Sequence, residues 1–154
     1  MYCQRVFFWV FLLIYIATGI LLAIIAHWIH NTSDGYKQYG SHISHLARYY
    51  IGGISLYIII TSFIHIIIGF ACQKRLIFFR AAVIFLVLGI IVEIVTVALV
   101  FLMRTGIPAP LQKTTLIVIS SLTAYLFVLQ MYGIIASLSY HSELRHSYEI
   151  VSSK

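Results

Sequence analysis

Four stretches of this chain, at roughly 6–29, 49–71, 81–103 and 114–138, are almost free of charge. Each is about 23 residues long, which as an α-helix covers about 35 Å, enough to cross a bilayer with some tilt. Backbone amides in hydrocarbon must find partners within their own segment, so such runs become helices or the strands of a closed barrel. A barrel needs shorter segments of alternating polarity, and these runs are continuously apolar.

Composition agrees. Hydrophobic residues make up 62% of the 154 residues and charged residues 9%, with a mean hydropathy of +1.01. A water-soluble domain of this size could not cover that much apolar surface. The expected fold is an all-α integral membrane protein with four transmembrane helices. The first run, "RVFFWVFLLIYIATGILLAIIAHWI", is too long for a signal-peptide core and lacks a small-x-small cleavage site, so it is expected to be retained.

Orientation follows from the flanking charge. With both termini cytoplasmic, Arg5, Lys74, Arg75, Arg80, Arg145 and Lys154 lie inside, and Lys37, Arg48, Arg104 and Lys113 outside. The connection "CQKRLIFFR" is short and purely basic, as befits a cytoplasmic hairpin. Asn31-Thr32-Ser33 is an N-glycosylation acceptor that only a lumenal position could use. The expected domains are 1–138, the four-helix unit, and 139–154, a mobile cytoplasmic tail. Cys3 and Cys72 then share the cytoplasmic face, where S-palmitoylation occurs.

Lipid gives helices no hydrophobic reason to associate, so small residues and interhelical hydrogen bonds must supply one. Heptad spacing, the period of left-handed packing, links Ser55, Ser62 and Gly69. It also links Ala82, Gly89 and Thr96, and Thr123, Gln130 and Ser137, with Gly133 beside them. The first run offers Thr18 and Gly19. A left-handed antiparallel bundle is expected. Glu93 shares the face of Gly89 and Thr96, and His65 that of Ser62 and Gly69.

Both ionisable groups should therefore face the interior, offset by roughly 9 Å along the helix axes. Gln130, Tyr125 and Thr61 lie at similar depths. An isolated carboxylate in hydrocarbon takes up a proton rather than staying charged, so Glu93 is expected to be neutral and to donate a hydrogen bond across the bundle. Two roles fit Glu93 and His65: polar glue between helices, or part of a proton or ion relay.

Two passages, "GFACQKRLIFFRAAVIFLVLGIIVEIVTVALVFL" and "LFVLQMYGIIASL", resemble the tetraspanins. The first is similar to that family's passage from second to third helix, with Glu93 at the third-helix acid. The second is similar to its fourth helix, with Gln130 at the polar position. Cys3 and Cys72 match the places where tetraspanins are acylated. The large second outer loop with its Cys-Cys-Gly motif is replaced by the short "RTGIPAPLQK", and the first-helix asparagine is absent, with Tyr15 and Thr18 nearby. The resemblance therefore implies only the membrane-embedded half of the family's function, namely lateral association, scaffolding and trafficking. Claudin-type junction proteins share the topology but not their first-loop Trp and paired-Cys signature.

Smaller signals remain. His27, His30, His42 and His45 fall near the outer face, as a zinc or acid-sensing cluster or as interfacial polar residues beside Trp28, Tyr36 and Tyr39. Tyr148 to Val151 fits the Tyr-x-x-apolar pattern that clathrin adaptors read as an added strand. The formal charge of +6 lies at the membrane ends, which suits anionic lipids rather than nucleic acid. Enzyme motifs are lacking, and no cofactor is expected.

The expected function is a non-enzymatic membrane scaffold or accessory subunit at the plasma membrane, including cell junctions or endosomes. Its partners would be lipids and other integral membrane proteins or copies of itself. The alternative is a proton- or ion-coupled channel or transporter subunit using Glu93 and His65.

Overall fold

The uncharged runs wind into four helices. The computed structural model describes residues 2–31, 45–71, 77–102 and 109–152, as α1 (Tyr2–Asn31), α2 (His45–Ala71), α3 (Ile77–Leu102) and α4 (Ala109–Ser152). All four are long and apolar enough to cross a membrane, over Gln4–Ile29, Tyr49–Phe70, Phe79–Leu102 and Ala109–His146. The chain is thus all-helical where described, and compatible with a multi-pass membrane protein.

The first three helices start and stop within a few residues of the uncharged runs. The fourth does not. It has 44 residues, about 66 Å of helix, and overshoots the expected 114–138 at both ends. At its start Pro110 sits in the first turn, where a missing N–H leaves no helical bond unmade. At its end the polar segment from 139 continues as helix to Ser152. Tyr140 explains part of this: it is 3% exposed and packs on Phe8 and Phe79, with ring centroids 5.2 and 5.4 Å away. Leu144, one turn later, joins the same apolar cluster.

Helix α1 packs against α2 and α4; α3 packs against α4 and α2; α2 and α4 also touch. The central cluster draws Phe11 and Tyr15 from α1, Ile54 and Ile58 from α2, Leu86 from α3, and Leu126 and Leu129 from α4. A second cluster, Phe8, Leu12, Ile68, Phe79, Ala82 and Tyr140, closes one end. Outward faces carry apolar side chains: on α3, Ile84, Ile91, Val95 and Leu99 are each at least half exposed.

Close approach depends on particular glycines. A Cβ on Gly133 would lie 2.3 to 2.8 Å from three ring carbons of Phe11, so this gap in α4 is the seat of that ring. At Gly53 nothing lies within 4 Å of an added Cβ. Gly133→Ala is therefore expected to destabilise the helical unit by about 1–3 kcal/mol through overpacking, whereas Gly53→Ala should be neutral or slightly stabilising. Unfolding of the two variants in detergent micelles measures this, and equal shifts would refute the assigned seat.

Candidate functional site

A buried polar contact joins α3 to α4. Glu93 is 1% exposed and Gln130 is fully buried, and the Gln130 amide Nε2 donates to Glu93 Oε1 at 2.7 Å. Gly89, one turn before Glu93, makes room for it. A Cβ there would lie 3.0 Å from Gln130 Nε2 and 2.9 Å from the Tyr57 ring. The bare backbone at Gly89 lets an amide from α4 and a phenol from α2 lie across α3 together. The Tyr57 hydroxyl donates to the Phe85 carbonyl of α3, a partner for a group that hydrocarbon could not satisfy.

Helix α1 completes the cluster through Tyr15, which is fully buried. Its hydroxyl faces the Gln130 side chain and lies 3.4 Å from Thr61 Oγ1 of α2. Thr61 has one proton to donate, best placed for the Tyr57 carbonyl at 2.8 Å, which leaves its lone pairs for Tyr15. All four helices thus contribute a polar group: Tyr15, Thr61, Glu93 and Gln130.

His65, one turn beyond Thr61, is also fully buried. Its Nδ1 lies 2.7 Å from the Thr61 carbonyl; a carbonyl can only accept, so Nδ1 carries a proton. Its ring meets Phe11 edge-on with centroids 6.2 Å apart. His65 and Glu93 meet different partners, the Thr61 carbonyl and the Gln130 amide. Ser62 is buried and bonds back to the Ile58 carbonyl at 2.7 Å.

Tyr125 stands elsewhere. It is 49% exposed, and its hydroxyl is 3.0 Å from Thr18 Oγ1 on the flank where α1 meets α4. Tyr125, expected at a depth similar to Glu93, thus makes its polar contact between α1 and α4 rather than with Glu93. The interior phenol is Tyr15. The available signal was a phenol in the middle of an apolar run, whose hydroxyl needs an internal partner. Tyr57 carried the same signal. A further link joins the Tyr50 hydroxyl of α2 to Thr123 Oγ1 of α4 at 2.8 Å.

Among the described residues, Glu93 Oε2 and Gln130 Oε1 are buried without a hydrogen-bond partner. Each belongs to the same planar group as an atom of the 2.7 Å contact. A protonated acid facing an amide can close a second bond from O–H to the amide carbonyl. The donor in the observed leg is the amide; the complementary leg is the one a neutral Glu93 would supply.

Among the described residues no group of three or more His, Cys, Asp or Glu is placed to hold a metal. His27 is exposed near the end of α1; the side chains of His30, His42 and His45 lie outside the described residues. So do those of Cys3, Cys72, Asn31, Tyr148 and Val151. The backbone at 148–151 is helical, whereas adaptor binding takes an extended peptide.

No protein-family model, curated protein or solved structure matches the chain.

The pair makes a quantitative claim. Glu93→Leu or Gln130→Leu alone strands a buried polar partner and should cost about 1–3 kcal/mol. The double substitution leaves no partner stranded, so it should fall short of the summed single effects by about 1 kcal/mol. A double-mutant cycle on unfolding in detergent tests this; strict additivity would mean the two side chains are not coupled.

Proposed function

We propose that this chain is a non-enzymatic membrane scaffold or accessory subunit that associates laterally with other integral membrane proteins or with copies of itself. The observation that carries this reading is the buried Glu93–Gln130 bond at 2.7 Å. It turns the Glu93 carboxyl of α3 inward, while Ile84, Ile91, Val95 and Leu99 of that helix face outward. An apolar face of this kind is suited to other apolar transmembrane surfaces, with packing and shape rather than water deciding the partner.

In this reading the helices form a left-handed antiparallel bundle with both termini cytoplasmic, in the plasma membrane or its junctional and endosomal extensions. Lys74, Arg75 and Arg80 would then meet the cytoplasmic leaflet. Cys3 and Cys72 are the proposed palmitoylation positions, Asn31 the glycosylation position, and Tyr148 with Val151 an adaptor signal. The similarity to the tetraspanins at Glu93 and Gln130 supports a membrane-embedded organiser without the large outer head.

A second reading, a proton- or ion-coupled channel or transporter subunit, draws on the convergence of Tyr15, Thr61, His65, Glu93 and Gln130 from four helices. Its weak links are the 3.4 Å separation between Tyr15 and Thr61 and the separate partners of His65 and Glu93. A relay needs short, continuous contacts between titratable groups.

Crosslinking in native membranes tests the two together. The wild-type chain should give discrete membrane-protein neighbours, and Glu93→Ala should lose them at matched expression. Unchanged neighbours in Glu93→Ala would remove the scaffold reading. Proton or ion flux into proteoliposomes that disappears in Glu93→Gln would replace it with transport, because glutamine keeps the hydrogen bonding but not the titration.

A further inference from the structure

Between α2 and α3 the packing leaves a cavity of about 420 Å³, within the range of ligand pockets, roughly 300–1,000 Å³. Tyr49, Gly53 and Tyr57 line it from α2, and Gly89, Val92 and Thr96 from α3. Its outer side is open. Tyr49 is 71% exposed and Val92 55% exposed, and nothing lies within 4 Å of a Cβ added at Gly53. Tyr57 closes the inner end, its ring 2.9 Å from the Cβ position of Gly89.

The hydroxyls of this cavity have their protons engaged. Thr96 donates to the Val92 carbonyl at 2.7 Å, and Tyr57 donates to the Phe85 carbonyl. Each has only one proton to give, so what either oxygen keeps is a lone pair. To a guest these two groups therefore offer acceptors, and the described lining carries no charged side chain. A guest that matches is uncharged where it meets Thr96 and brings its own donor.

Depth narrows the choice further. Tyr49 opens the α2 span Tyr49–Phe70, about 16 Å from its centre, where the hydrocarbon ends at about 15 Å. Thr96 lies only about 8 Å from the centre of the α3 span Phe79–Leu102. The donor must accordingly lie below the polar tip of the guest. A glycerophospholipid has ester carbonyls beneath its headgroup, and these accept but cannot donate. A sterol hydroxyl is itself the polar tip and belongs at the height of Tyr49. A sphingolipid carries an amide N–H and a hydroxyl between its headgroup and its chains.

We propose that the cavity between α2 and α3 binds a sphingolipid, whose backbone donates a hydrogen bond to Thr96 Oγ1. Its headgroup lies at the level of Tyr49, and one chain runs past Gly53 and Val92 toward Tyr57. The missing side chain at Gly53 lets that chain approach the helix backbone closely. Hydrocarbon offers the lipid donor no other partner at this depth, which gives one hydrogen bond its power to select. The proposal rests on the four-span reading. Its readout, lipid retention, is independent of partner association, so failure of either conclusion leaves the other distinguishable.

The test uses the full chain in uncharged detergent, with sphingomyelin and phosphatidylcholine of matched chain length. These share one headgroup and differ in the donors beneath it. Native mass spectrometry counts the bound lipid. Wild-type protein should retain sphingomyelin over phosphatidylcholine by about threefold to tenfold, the worth of one hydrogen bond. Thr96→Val, which keeps the shape and removes the acceptor, should bring the ratio to about one, whereas Thr96→Ser should preserve it. Gly53→Leu, which fills the open side, should lower sphingomyelin retention to the phosphatidylcholine level.

Equal retention of the two lipids by the wild type would overturn the proposal. A preference that persists in Thr96→Val would overturn the role given to that oxygen, and one that persists in Gly53→Leu would overturn the location. Displacement of sphingomyelin by an equal concentration of cholesterol would overturn the sphingolipid assignment in favour of a sterol.

Discussion

A buried acid and a buried amide, 2.7 Å apart on neighbouring helices, set the terms for the rest of this molecule. Helices this apolar gain nothing from water when they associate, because a lipid tail is as good a neighbour as a leucine. What distinguishes the right partner is the penalty for leaving a polar group unpaired. Glu93 and Gln130 impose that penalty on any arrangement that separates α3 from α4. Tyr15 and Thr61 extend the condition to α1 and α2.

Polar pairing of this kind depends on close backbones, and glycine provides them. Gly89 leaves the space through which the Gln130 amide and the Tyr57 ring reach α3, and Gly133 the seat for Phe11. Dispersion contacts around these seats add small gains over many atoms. The polar pair chooses the arrangement and the apolar packing tightens it. The outward faces are then free for lipid or for another protein, which is the physical basis for reading the chain as an organiser of membrane neighbours.

Much of the inward face was legible from spacing. Ser55, Ser62, Gly69, Ala82, Gly89, Gln130, Gly133 and Ser137 recur at helical intervals and are buried in the structure, while Thr96 and Thr123 of the same series are half-buried. Small and polar residues in an apolar run have few other reasons to recur with that period. Tyrosines were not legible in the same way, because a phenol can sit in an interface, on a flank or inside. Tyr125 lies on a flank with Thr18, while Tyr15 lies in the interior and Tyr57 reaches across to α3. The far end of α4 was hidden too: its polar composition argues for a tail, and only Phe8 and Phe79 of other helices supply the surface that Tyr140 packs against.

The sequence by itself determined the number of long apolar helices, the residues that bound the first three, and the face on which Glu93 and Gln130 belong. Those properties follow from backbone hydrogen bonding in hydrocarbon and from helical periodicity, which are local. The tertiary structure decided that Gln130 rather than His65 receives Glu93, that Tyr15 closes the cluster, and that α4 continues to Ser152. Those outcomes depend on axial offsets of a few ångströms between separate helices and on which neighbour offers a cavity or a ring, and no single helix carries that information.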